Sequence, residues 1–121
     1  MLMILIAGPV RGGTGNEPRL MSANIDAMTE VALDLYRRGH LPVVGEWFSV
    51  PLIATAGSTR VGDAIYDAIQ HPIAERLLTK CDGCLRIGGP SSGADHMATT
   101  TRALGKPVWL DIDDIPASTT G

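Results

Sequence analysis

Apolar residues run without interruption from Leu2 to Ala7 (LMILIA) and stop at Gly8-Pro9, which predicts a strand buried on both faces of a parallel sheet. From Pro18 the apolar positions Met21, Ile25, Met28, Ala32 and Leu35 advance by fours and threes. That spacing predicts one long helix with a single apolar face, stopped by the cations and glycine of RRGH, with His40 part of the stop. LPVVG (41–45) predicts a short second strand, and residues 46–57, with Pro51, Gly57 and no clear period, read as an irregular loop. Helical periodicity resumes near Thr59, breaks at His71-Pro72, and restarts at the proline to about Lys80. GCLRIGG predicts a third strand, a helix from about Ala94 to Leu104 is closed by Gly105, and PVWLDI predicts a fourth strand.

Strands separated by helical stretches imply right-handed crossovers. The expected architecture is therefore α/β: a doubly wound parallel sheet of four or five strands in a flavodoxin- or Rossmann-like three-layer sandwich. With 121 residues, 45% of them hydrophobic, and no internal repeat or heptad array, residues 1–121 read as one domain with a frayed end at PASTTG. Ligands of such sheets bind at the carboxyl ends of the strands, which selects the loops 8–16, 45–57 and 88–95.

A formal charge of −3, with Lys and Arg scattered, excludes the footprint of a nucleic-acid polymer binder but leaves room for a small anion. The opening MLMILIAGPV is too short to span a bilayer and has no basic leader, so the expectation is a cytoplasmic protein without membrane contact. Cys81 and Cys84 form a single CDGC, neither a disulfide framework nor a complete zinc site; it closes a helix where a thioredoxin-type motif opens one, and reads as two reduced thiols. Asp111, Asp113 and Asp114 read as a solvated edge. No metal and no cofactor is expected.

Two loops carry candidate chemistry. GPVRGGTG (8–15) has four glycines in eight residues, which lets backbone N–H groups approach an anion, and adds the charge of Arg11; it is neither a Walker A loop nor a dinucleotide fingerprint. GGPSSGADHM (88–97) enters a helix with Ser91 or Ser92 as N-cap, and Gly93 and Ala94 supply free N–H groups in the first turn. At the end of the second strand, Glu46 is a carboxylate for a ribose hydroxyl and Trp47 an indole for stacking on a base, or Trp47, Phe48 and Leu52 seal a subunit interface. His96 is either a phosphate donor or an exposed first-turn histidine. His71 reads as a helix-break residue.

IAGPVRGG, followed by CDGCLRIGGPSSGADHMATTTRALGKPVW, resembles the nucleoside 2-deoxyribosyltransferase-like superfamily, including its deoxynucleoside monophosphate N-glycosidase branch and a group of small uncharacterised bacterial relatives. The likeness covers the first strand and loop and residues 73–109, and is thin between Leu41 and Thr59. It implies transfer or hydrolysis of a 2-deoxyribosyl group through a covalent sugar–carboxylate intermediate, because the oxocarbenium-like transition state needs a carboxylate beneath the anomeric carbon. The family's nucleophilic Glu lies eight residues before the Gly of GKP, and that position is Met97. Six residues earlier the family's phosphate-binding Ser falls on Ser91. The backbone and Arg of its first loop fall on Gly8, Pro9, Val10, Arg11, Gly12 and Gly13. A second family carboxylate would match Arg76 or Ala74 and is also lost; Glu75 lies between them on another helix face. The likeness implies a homo-oligomer, a dimer or dimer-based.

A thioether cannot serve as the family nucleophile. Met97 instead suits an apolar helix face with Thr101 and Leu104. The readings that remain are a nucleotide or nucleoside-phosphate binding protein that no longer cleaves, and an N-glycosidase or deoxyribosyltransferase acting on (deoxy)nucleoside monophosphates with a relocated carboxylate, Asp95 or Glu46. Asp95 sits about 200° around the helix from Met97 and serves only if the helix begins late. Cytokinin-activating phosphoribohydrolases are a related option with the same missing Glu. A flavodoxin-type redox protein has only the architecture and CDGC in its favour.

Overall fold

The Leu2–Ala7 run becomes β1 (Met3–Ala7), an inner strand whose residues Ile4, Leu5, Ile6 and Ala7 are all buried. In this computed structural model, which describes residues 1–11 and 14–118, the chain continues through α1 (Pro18–Arg37), β2 (Leu41–Val44), α2 (Gly45–Thr55), α3 (Ala64–Lys80), β3 (Gly83–Arg86), α4 (Ser92–Ala103) and β4 (Val108–Trp109), and a short 3-10 turn covers Ile112–Asp114. The sheet has four strands in the order β2-β1-β3-β4, every pair parallel. Helix α1 covers one face through Met28, Ala32 and Leu35 against Ile4, Ile6 and Leu85. On the other face α3 and α4 bury Ala74, Leu78, Ala94 and Met97 against Leu5, Ala7 and Cys84. This is the expected three-layer α/β sandwich.

The chain winds outward from β1 to β2 and then crosses back to β3, so strand order reverses between β1 and β3. A reversal sends the helices that follow the two strands to opposite faces of the sheet and opens a crevice at the strands' carboxyl ends. The loops themselves touch: Gly88 adopts φ 77, and a Cβ there would lie 2.6 Å from Pro9 Cδ. Glycine at 88 is thus what allows the two Gly-rich loops to converge.

Several elements differ from the sequence expectation. Residues 46–57 are mostly helix, not loop: α2 buries only Gly45, Ser49 and Ile53 and turns Trp47, Phe48, Val50 and Leu52 outward, so apolar residues surround it and leave no period to read. Helix α3 runs unbroken through Pro72. Its N-cap Asp63 accepts from Tyr66 N–H at 2.8 Å, and Ala74 and Leu78 anchor its second half, which together outweigh a proline cost of about 3 kcal/mol. Asp63 is held down to about 2, chiefly by the Tyr66 N–H and also by the Ser58 hydroxyl. Helix α4 starts at Ser92 rather than Ala94, and PVWLDI contributes only Val108 and Trp109 before Asp111 caps the 3-10 turn. Leu104, expected on the face of Met97, is exposed.

The lysine of GKPV is structural. Lys106 Nζ donates to the carbonyls of Leu78, Thr79 and Cys81 at 2.7, 3.2 and 2.7 Å, placing a cation where the α3 carbonyls have no intrahelical partner. Cys81 and Cys84 are free and buried, and burial pushes both thiols up to about 11, so they stay protonated at neutral pH. Among the described residues no helix is long and apolar enough to cross a membrane.

Candidate functional site

A cavity of about 560 Å³ occupies the crevice between β1 and β3. Its floor is apolar, made by Leu5 and Ala7 of β1, Ala74 of α3 and Met97 of α4. Gly8, Val10, Arg11 and Asn16 form one rim, Ser91, Ser92, Gly93 and Ala94 line the α4 wall, and Gly45, Glu46, Tyr66, Gln70 and His71 line the α2–α3 wall.

The α4 wall presents a helix N-terminus to the cavity. Ser91 is the N-cap, its Oγ accepting from Ala94 N–H at 3.1 Å, which leaves the N–H groups of Ser92 and Gly93 in the first turn without intrahelical partners. Arg86, whose side chain is only 11% exposed, holds the preceding loop: its guanidinium donates to the carbonyls of Ile87 and Gly89 and to Asp95 Oδ1 at 3.1 Å. Asp95 is therefore engaged outside the cavity lining. The early start of α4 puts it on the wrong side of the helix for the late-start condition under which it would replace Met97.

Arg11 lines the same cavity. Its Nε donates to Asn16 Oδ1 at 3.1 Å, its guanidinium lies 5.7 Å from the centre of the Tyr66 ring, and it passes over Gly62, where a Cβ would lie 2.8 Å from Nη2. Among the described residues it has no carboxylate partner. Gly12 and Gly13, expected in the same loop, lie outside the described residues.

Across the cavity, burial pushes the Glu46 carboxyl up, against a smaller opposing hydrogen bond from backbone N–H. Tyr66 is likewise pushed up, first by burial, with Arg11 opposing and Glu46 reinforcing. A carboxyl that keeps its proton into a higher pH range can donate as well as accept.

Of the residues expected from the sequence, Gly8, Val10, Arg11, Glu46, Ser91, Ser92, Gly93 and Met97 line one cavity, and Pro9, Trp47, Asp95 and His96 do not. Trp47 Nε1 donates to Thr29 Oγ1 at 3.2 Å, which carries the indole toward α1. His96 Nε2 pairs with Glu75 Oε1 at 3.2 Å on the outer α3–α4 surface. Asn16, Tyr66, Gln70 and His71 were missed. Tyr66, Gln70, Ala74 and Leu78 form a stripe spaced by fours, visible only when the helix is read through Pro72.

No family model matches the chain, and no curated protein matches it by sequence. Among solved structures, a 2-deoxyribosyltransferase from the psychrotolerant bacterium Bacillus psychrosaccharolyticus superposes with a TM-score of 0.62. The two chains share a fold. Identity is 17%, and the match covers 91% of this chain and 75% of the other. That enzyme is described as a biocatalyst for the synthesis of antiviral and antitumoral nucleosides. The shared architecture agrees with the α/β sandwich expected from the sequence.

Proposed function

We propose that the chain binds a nucleotide or nucleoside phosphate, with the phosphate held between Arg11 and the Ser91–Gly93 turn and the sugar over Met97, without cleaving the glycosidic bond. The observation that carries this reading is the pairing, on one cavity, of an uncompensated guanidinium with the free N–H groups of a helix N-terminus. Beneath them lies a thioether that is 7% exposed, where a transferase of this architecture would need a carboxylate. The test is calorimetric titration with deoxy- and ribonucleoside monophosphates and the matching nucleosides. Monophosphates are expected to bind at least about tenfold more tightly, the worth of one charge-assisted hydrogen bond. Equal affinity, or no binding, overturns the reading.

The cleaving alternative keeps one candidate on the cavity wall, Glu46, which burial leaves prone to hold a proton and so suits an acid better than a nucleophile. Release of free base from deoxynucleoside monophosphates above the buffer rate would favour it.

Self-association belongs to the same proposal. The outward side chains of α2 (Trp47, Phe48, Val50, Leu52) meet the α1 stripe of Leu33 and Tyr36 where Trp47 reaches Thr29. These large apolar side chains are each 40% or more exposed, the kind of surface that marks an interaction site. Exposed Glu30 and Arg37 border the α1 part of this patch, and carry opposite charges that a second copy of the same face can pair; that copy is the partner proposed. Sedimentation of the wild type should give a dimer and Phe48→Glu a monomer; a wild-type monomer at micromolar concentration removes this part of the proposal.

A further inference from the structure

Ser49 is fully buried between α2 and α3, and its Oγ lies 2.6 Å from Gln70 Oε1. Among the described residues this is the only hydrogen-bond partner of the hydroxyl. In this arrangement the hydroxyl donates to the amide oxygen; the opposite orientation would need the serine proton to turn back to the Gly45 carbonyl, one turn earlier on its own helix. Ser49 therefore holds Gln70 with its oxygen inward, and both amide N–H groups are left to the cavity that Gln70 lines.

Glu46 lies one turn before Ser49 on α2, and Tyr66 one turn before Gln70 on α3, so the cavity wall opposite the anion loops carries a carboxyl beside a fixed amide donor. Charged or neutral, Glu46 has an oxygen that accepts. Resting on the phosphate-anchored reading above, we infer that this wall selects the lactam edge of a nucleobase, the Gln70 amide donating to an exocyclic carbonyl oxygen and Glu46 accepting from the adjacent ring N–H. An amino group in the carbonyl's place sets donor against donor. Ser49 is then a positioning residue for specificity, and the preferred ligands are oxo-bases on a sugar phosphate.

The experiment is calorimetry with two matched pairs, deoxyinosine against deoxyadenosine monophosphate and deoxyuridine against deoxycytidine monophosphate, with 2-deoxyribose 5-phosphate as the base-free probe. In each pair the oxo ligand is expected to bind about tenfold more tightly to the wild type. Ser49→Ala lets the amide turn over. It should reduce the ratio to below about threefold while leaving the affinity for 2-deoxyribose 5-phosphate within about twofold, which a loss of packing alone would not do. Gln70→Leu should remove the ratio altogether. Equal affinities within both pairs for the wild type, with the sugar phosphate still bound, overturn the inference and spare the phosphate reading. A Ser49→Ala protein that loses all probes alike also overturns it, and failure of every probe with the wild type overturns the phosphate reading first.

Discussion

Met97→Glu is expected to give the chain an N-glycosidase activity on deoxynucleoside monophosphates that Met97→Gln lacks, by about 100-fold or more. The two side chains are nearly equal in size and shape, so the difference between them isolates the carboxylate. Met97 already sits on the cavity floor with Leu5, Ala7 and Ala74, and its backbone is fixed by Thr101 Oγ1, which donates to the Met97 carbonyl at 2.6 Å. In the expected reaction the introduced carboxylate oxygen bonds to the anomeric carbon. The carbon–nitrogen bond breaks with its electron pair leaving on the base, and a proton from Glu46 neutralises that base. Water then hydrolyses the sugar ester, its hydroxyl going to the anomeric carbon and its remaining proton returning to Glu46, and the introduced carboxylate is restored. The pH profile provides a second check. The introduced carboxyl, surrounded by apolar side chains, must ionise against burial, so activity rises with pH through its raised value. Glu46 is also pushed up by burial and must keep its proton, so activity falls again as pH passes above it. A bell-shaped profile is the expected result, read as release of free base. A folded Met97→Glu protein that binds monophosphates and stays at the Met97→Gln rate would show that the sugar does not lie over residue 97.

The sequence made the inner layer of this fold legible and the outer layer less so. Leu2–Ala7 is buried on both faces and its run of apolar residues says so directly, and Met21 to Leu35 meets water on one side only, so its spacing is readable. Helix α2 fails for the opposite reason: Trp47, Phe48, Val50 and Leu52 are as apolar outside as Ile53 is inside, and pattern reading depends on contrast between faces. Pro72 hid the unity of α3 because a local penalty is visible in sequence whereas the packing of Ala74 and Leu78 that offsets it is not. That single misreading cost most of the far wall. Gln70 gains its meaning only from Ser49, a neighbour 21 positions away across two helices. The place of the two Gly-rich loops on one cavity was legible because loops that follow parallel strands border a single crevice where strand order reverses. Asp95 was a fair candidate by residue type, and only the Arg86 guanidinium beside it explains its place.

Arg11→Met is expected to weaken nucleoside monophosphate binding by about 30-fold while leaving the affinity of the parent nucleosides within about twofold, because a hydrogen bond to a charged group is worth about 2 kcal/mol. The guanidinium is held in place without being neutralised. Asn16 takes Nε, the Tyr66 face supports the plane from below, and the remaining N–H groups, in their planar fork, are left for a phosphate. Methionine keeps the apolar stem, so packing against Tyr66 survives and the lost quantity is charge with its directed donors. Arg11→Lys separates these two contributions. An ammonium keeps the charge but cannot bind Asn16 and a phosphate in one plane, so its loss should fall between wild type and methionine. Salt gives an independent reading: the advantage of monophosphate over nucleoside should shrink between 0.05 and 0.5 M sodium chloride in the wild type, roughly as expected for a Debye length falling below about 10 Å, and much less in Arg11→Met. If Arg11→Met binds monophosphates as tightly as the wild type, the helix N-terminus at Ser91 holds the anion alone, and the loop after β1 serves only to shape the cavity.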